Sequence, residues 1–236
     1  MCEELNILEN YIEKTDEPVI VGIDEAGRGP VIGYMVYAVL VMRVDEDSAY
    51  KDSKKLTPFK RTSIFKNIQN YAYKAIHPIY LTMHMENGIS NLNEIAVEAV
   101  KDLLGEVRKK CSNVKTVYID GLGNNHKYKM TLEKYFPYKF IIESKADVKY
   151  QCVSGASIAA KSIRDSYIDM SKYGSGYPSD ENTVEWLKHN YKPISGFDHM
   201  IRHSWKTIHN ILGNRKNTKF NCKWDKRLQH FFMNNH

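Results

Sequence analysis

No stretch of this 236-residue chain is apolar for long enough to cross a bilayer. Its acidic opening, MCEELNILENYIEKTDE, lacks the hydrophobic region of a secretory signal. Both absences argue against a membrane or secreted protein. Cysteine is scarce: Cys2, Cys111, Cys152 and Cys222 are scattered, and no pair has CxxC spacing. That excludes a zinc ribbon and a disulfide framework and leaves a reducing compartment, cytosol or nucleus, as the default. Internal repeats and low-complexity segments are missing too. His199 and His203 stand four apart, but no HExxH glutamate lies between them, so they read as surface or packing residues.

What is present suits a folded enzyme. The hydrophobic fraction of 42% is that of a soluble globular protein, and 236 residues suffice for one ample core with a helical appendage. A balance of 34 basic against 28 acidic residues leaves a net charge of +6, which alone is weak evidence for a polyanionic partner. Its distribution says more. Lysines and arginines crowd residues 51–61, 108–115 and 214–227, while acids sit at the ends of candidate strands. A basic surface around a small acidic centre suits a nucleic-acid enzyme that needs metal ions.

The chain is organised around residues 19–33, VIVGIDEAGRGPVIG. A β-branched apolar run favours a buried strand, and it ends in two adjacent carboxylates, Asp24 and Glu25. A buried strand gains nothing from such a pair unless a cation or solvent stabilises the charge. Gly27 and Gly29 let the backbone approach a ligand closely, and Arg28 between them can meet an anion.

Residues 1–17 read as a polar lead-in with room for a short helix. A second strand over 31–42 is expected to form a hairpin with the first. Thr57-Pro58 signals a helix start, with Phe59, Ile64, Phe65 and Ile68 on one face. Residues 73–81 alternate like a strand, which His77-Pro78 confines to an edge or breaks. Residues 91–110 form an amphipathic helix, and strands are expected at 114–120 and 138–143. Residues 154–170, with small side chains on one side, read as a tightly packed helix, and 181–190 as another. Strands paired with helices, each acid just after a strand, indicate an α/β sandwich with ligands gathered at strand ends.

Asp120 and Asp147 follow two further strands, so four carboxylates occupy comparable places. Magnesium takes oxygen ligands, and an ion pair roughly 4 Å apart can activate water and stabilise the leaving oxygen of a phosphodiester. Each aspartate taken alone reads as a turn residue or helix cap sooner than as a metal ligand; the case is joint.

DEAGRGP after an apolar strand resembles the signature of type 2 ribonucleases H. YIDGLG and ESKADVKYQCVSGASIAAKSIRD resemble the second and third acidic blocks of that family, in its order. The resemblance continues through DSKKLTP, NLN at residues 91–93 and GSGYPSDENTVEWL, covering about residues 19–211. It implies a ribonuclease H-like mixed sheet flanked by helices, with a catalytic domain over 18–172 and a helical C-terminal extension and tail over 173–236. It implies an endoribonuclease that hydrolyses the RNA strand of RNA/DNA hybrids and cuts 5′ of single ribonucleotides in duplex DNA, leaving 3′-hydroxyl and 5′-phosphate ends. By the same resemblance Asp24, Glu25, Asp120 and Asp147 hold two Mg²⁺ or Mn²⁺ ions, with Asp24 bridging both. Gly27, Arg28 and Gly29 match the loop that reads the ribose 2′-hydroxyl. Ser53 and Lys54 match a segment that contacts phosphate. Asn93, Lys161 and Arg164 are further substrate-binding candidates, and Tyr177 matches the tyrosine at the ribonucleotide–deoxyribonucleotide junction.

The tract over 172–207 resembles the eukaryotic catalytic subunit more than the bacterial enzymes, which implies two accessory subunits in a heterotrimer and a place in the nucleus. In the tail FNCKWDKRLQHFFMNNH, Leu228, Phe231 and Phe232 have the spacing of a sliding-clamp-binding box, but Asp225 stands where the usual glutamine would be. Aromatics in a tail more often pack on their own domain or on a subunit than in such a box. Two other readings share these features: a DNA-directed nuclease or recombinase, which has no use for the GRG loop, and a silent hybrid-binding subunit, which has no need of four acids.

Overall fold

The computed structural model describes residues 5–46, 50, 56–121, 123–190 and 198–213. In chain order the strands are β1 (Asn6–Asn10), β2 (Val19–Ala26), β3 (Met35–Arg43), β4 (Tyr71–Ile76), β5 (Val114–Asp120) and β6 (Phe140–Glu143). The helices are α1 (Pro58–Phe65), α2 (Pro78–Glu86), α3 (Leu92–Lys110), α4 (Asn125–Glu133), α5 (Ala146–Lys149), α6 (Gln151–Ser166), α7 (Met170–Tyr173), α8 (Glu181–Asn190) and α9 (Lys206–Gly213). Among the described residues no helix is long and apolar enough to cross a membrane.

The strands form one mixed sheet in the order β1-β4-β3-β2-β5-β6. β2 lies inside it, antiparallel to β3 and parallel to β5, which is itself parallel to β6. The carboxyl ends of β2, β5 and β6 therefore face the same way. In open α/β sheets ligands gather at such ends, where the connection pattern changes.

Both faces of β2 are covered, which is why it reads as a nearly continuous apolar run. Val19, Val21 and Ile23 point to one side and meet the apolar stripe of α3, including Ile95, Ala99, Val100 and Leu103. Each fully buried aliphatic side chain contributes up to roughly 1.5–3 kcal/mol, and the stripe anchors α3 to the sheet. Asn91 and Glu94 close a capping box at its start, and Arg108, Lys109 and Lys110 complement the dipole at its end. The opposite face takes α6, whose small residues allow a close approach. A Cβ on Gly22 would lie 2.1 Å from the Cys152 backbone carbon, so only glycine fits there.

The carboxyl-terminal segments build a separate apolar cluster of Val31, Ile32, Ile168, Tyr173, Leu187, Met200, Ile201 and Ile208. It clasps the chain just past Gly29. Gly33 N donates to Met200 O at 2.9 Å, and Arg202 N donates to Val31 O at 2.9 Å.

The mixed sheet flanked by helices and the β2–β3 hairpin agree with expectation; several elements do not. The amino-terminal segment is a strand, not a helix: β1 pairs antiparallel with β4 at the sheet edge. Residues 31–34 lie outside β3, because Gly33 takes a left-handed φ of 98° and Ile32 bridges to Ile201. His77-Pro78 ends β4 and starts α2, where the His77 ring nitrogen caps Ile79 N at 3.1 Å, so residues 78–81 are helical rather than extended. Thr57 caps α1 as expected, but Phe59 is 84% exposed, off the packed face of Ile64 and Phe65. The helix expected over 154–170 begins at Gln151 and ends at Ser166, and α4 and α5 were not anticipated.

Candidate active site

Side chains alternate along a strand, so Asp24 and Glu25 leave β2 on opposite faces. Asp24 belongs to the α6 side and is 5% exposed. Its Oδ1 accepts from Glu25 N at 2.7 Å. The Ser157 hydroxyl and Lys161 favour its ionised form, and Lys161 Nζ donates to Ser157 Oγ at 2.7 Å. Burial nevertheless outweighs them and, with the charge of Asp120, pushes the Asp24 carboxyl well above the ordinary range. Glu25 faces Tyr37 across the β2–β3 register. Burial first, then the charges of Asp24 and Asp120, raise it too, against the opposing pull of Arg28.

Asp120 closes β5, one step beyond the Ile23–Ile119 pair. Its Oδ1 accepts from Ala146 N at 2.8 Å, which fastens the strand end to the first residue of α5. Asp147 follows directly and is 2% exposed. The turn into α5 needs a left-handed backbone at Lys145, with φ 60° and ψ 35°, a conformation that costs a non-glycine residue about 1–2 kcal/mol. That cost at the entry to a buried aspartate is typical of a functional position.

Beside the acids lies an open pocket of about 380 Å³ lined by Glu25, Gly27, Arg28, Gly29, Lys161 and Tyr177, among others. Gly27 has a φ of 80°, and a Cβ there would sit 2.4 Å from Tyr34 O, so a side chain is both strained and blocked. At Gly29 a Cβ would only touch the Tyr177 ring, at 3.6 Å. Arg28 Nη2 donates to Asn93 Oδ1, which brings the start of α3 to the loop. Arg164 is committed within the protein: it donates to Ser175 O and Asp165 Oδ1, and its guanidinium stands 5.1 Å from the Tyr177 ring centre. The described substrate-binding candidates thus gather around one pocket. Ser53, Lys54 and the tail aromatics lie outside the described residues.

Other residues that no motif singled out individually complete the site, although Arg202 and Trp205 lie in the tract over 172–207. Arg202 is fully buried; its Nε donates to Gly33 O at 2.9 Å and its Nη1 to Arg28 O at 3.3 Å. Burial and the neighbouring Arg164 pull its pKa down to about 9. Trp205 Nε1 donates to Gly29 O at 3.2 Å. Carboxyl-terminal side chains therefore hold the glycine–arginine turn from behind. Arg61 on α1 reaches the pocket and pairs with Asp165. His199 and His203 share no helix: both lie in the turns before α9. A buried arginine has no periodic or compositional signature, which is why Arg202 escapes sequence reading.

Among the described residues no three carboxylates, histidines or cysteines close into a preformed cage for an ion. The donor chemistry nevertheless fits a hard divalent cation. Buried oxygen donors with mutual repulsion, only partly offset by Lys161 and Arg28, gain most from an added positive charge.

Comparison with known proteins gives the family and the fold. A family model described as Ribonuclease HII matches residues 21–208. A ribonuclease H2 subunit from Dictyostelium discoideum is 36% identical over 265 residues, covering 98% of this chain and 90% of that protein. The crystal structure of the ribonuclease H2 from Pyrococcus horikoshii OT3 superimposes with a TM-score of 0.71 at 33% identity, covering 84% of this chain and all of that one. The structure of the PCNA:RNase HII complex from Archaeoglobus fulgidus gives 0.70 at 32% identity, covering 85% and 98%. The chain belongs to the ribonuclease HII family and is a type 2 ribonuclease H, a nuclease of the hydrolase class.

Proposed function

We propose that this chain cuts the RNA strand of RNA/DNA hybrids and cuts 5′ of a single ribonucleotide in duplex DNA, in the manner of a eukaryotic catalytic subunit. One observation carries the reading: the buried Asp24 and the half-buried Glu25, in electrostatic contact with Asp120, adjoin a glycine–arginine turn braced by Arg202 and faced by Tyr177. Asp24, Glu25, Asp120 and Asp147 would hold two Mg²⁺ or Mn²⁺ ions. Such ions supply activation of water and charge stabilisation at the departing oxygen.

The chain's own groups do the rest. The Gly27–Gly29 backbone presents amides close enough to sense a ribose 2′-hydroxyl, the group that separates RNA from DNA locally. Arg28, Lys161 and, outside the described residues, Ser53 and Lys54 attract phosphates. Tyr177, with its ring held against Arg164, offers a flat face to the sugar at the junction. Water adds to phosphorus in line as the bond to the preceding O3′ breaks. The proton ends on that oxygen, leaving a 3′-hydroxyl and a 5′-phosphate.

The division into a catalytic domain over 18–172 and an extension over 173–236 belongs to the same proposal. Tyr173, Leu187, Met200, Ile201 and Ile208 of the extension pack in one cluster with Val31, Ile32 and Ile168 of the domain. Similarity to eukaryotic ribonuclease H2 subunits supports two accessory subunits and a nuclear role. The archaeal relative described in complex with PCNA supports a sliding-clamp contact, for which the tail around Leu228, Phe231 and Phe232 is the candidate segment. The test is Asp24→Asn. Cleavage of a hybrid is expected to fall about a thousandfold or more while duplex binding survives. Undiminished cleavage removes Asp24 from the site, and equal binding without cleavage by the wild type favours a silent subunit.

A further inference from the structure

On the sheet face covered by α3 lies a polar cluster that the reaction above leaves unused. Tyr37 of β3 stands opposite Glu25 of β2, so both side chains project on this face. Tyr128 of α4 belongs to the same buried cluster as Tyr37, and Glu25 and Arg28 act electrostatically on both phenols. The phenols are 1% and 7% exposed, yet neither hydroxyl, nor the buried Nη1 of Arg28, makes a hydrogen bond of full geometry, although Arg28 lies within reach of the Tyr37 hydroxyl. Arg28 Nη2 is already spent on Asn93 Oδ1. Buried polar atoms are normally paired, and unpaired ones signal a missing partner or a functional role. Here the partners stand next to one another. A guanidinium only donates and a carboxylate only accepts, whereas a phenol hydroxyl can do both.

We propose that Tyr37 and Tyr128 are positioning residues whose hydroxyls accept from Arg28 Nη1 and donate toward Glu25, locking the arginine of the GRG loop and the acid of β2 into one unit. Each of the two Nη1 hydrogens then has an acceptor, and each hydroxyl hydrogen has the carboxylate. Glu25 and Arg28 line the pocket and the two tyrosines do not, so the tyrosines act through Arg28 and Glu25 rather than on the substrate. The consequence for turnover rests on the proposed function; the linkage itself does not.

Tyr37→Phe, Tyr128→Phe and the double variant remove oxygen atoms only. Their melting temperatures are measured without metal or substrate, in the natural background and in Arg28→Met. Each single change is expected to lower Tm by a few degrees when Arg28 is present and hardly at all in Arg28→Met. On a hybrid the double variant is expected to lose roughly tenfold or more in kcat, with KM within about twofold, as lost positioning requires. Equal Tm shifts in both backgrounds overturn the proposal, and so does a double variant whose kcat stays within twofold of the natural chain. The single variants serve both measurements if the double one does not fold. A natural chain that fails to cut the hybrid sinks the proposed function, while the unfolding cycle still decides the linkage.

Discussion

The two faces of β2 solve different problems with adjacent residues. On the α6 face the strand presents Ile20, Gly22 and Asp24 to a helix rich in glycine, alanine and serine, and the backbones nearly touch. Asp24 sits there among well-defined neighbours, with Ser157 and Lys161 already bonded to each other. On the α3 face Val19, Val21 and Ile23 meet a conventional aliphatic stripe, and Glu25 follows among large aromatic groups whose hydroxyls have bonding capacity to spare. One face is held by close approach and the other by volume. A two-residue period delivers neighbouring acids into these unlike surroundings at the same end of the sheet.

That contrast can be broken most directly at Gly22. Gly22→Ala adds one methyl group on the close-approach face, and its Cβ would meet backbone rather than a flexible side chain. The expected cost is about 3 kcal/mol or more, read as a lower denaturation midpoint. Val21→Ala removes two methyl groups from the volume-filled face and is expected to cost about 2 kcal/mol. A Gly22→Ala protein more stable than Val21→Ala would show that the two faces do not differ as described.

A third test concerns the turn that joins the faces beyond β2. Arg202→Met keeps an unbranched apolar stem but removes the guanidinium and with it the donors to Gly33 O and Arg28 O. Stability is expected to fall by about 2 kcal/mol, and cleavage to fall with it because the loop is no longer braced. An Arg202→Met chain with unchanged cleavage would show that Arg202 supports packing alone.

The effect at His77 appears only at low pH and vanishes near neutrality. Burial, and then His199, lower its pKa to about 4, so it is neutral in the fold. The unfolded chain takes up that proton near the ordinary value of about 6.5. This contribution is therefore fully present above pH 6.5 and is lost as pH falls toward 4. His77→Asn retains a capping acceptor for α2 and cannot charge. Its melting temperature is expected to match the natural chain near pH 7.5 and to exceed it near pH 4.5. A parallel pH dependence in the two proteins would contradict that.

The elements legible in the sequence were those whose signal is local. β2 and β5 announce themselves by β-branched runs ending in acids, α3 by its stripe and its Asn91–Glu94 cap, and α1 by Thr57-Pro58. β1 was not legible because NILEN is short, half-polar and an edge strand, ordered by pairing with β4 rather than by its own propensity. α2 was hidden because His77 caps it with a ring nitrogen, an uncommon substitute for an asparagine or serine. The acids and the GRG turn were recognisable as a motif. Arg202 and Trp205, which hold the turn, were not, since each acquires its role only from a chain segment far away in sequence.

The central claim is that this acidic centre and its braced turn act together on a ribonucleotide. The most direct measurement uses a DNA duplex with one embedded ribonucleotide, with and without Mg²⁺, beside an all-DNA duplex of the same sequence. The expected result is a metal-dependent cut on the 5′ side of the ribonucleotide and none in the all-DNA duplex. Equal cutting of both duplexes, or no cut even with accessory subunits added, would contradict it.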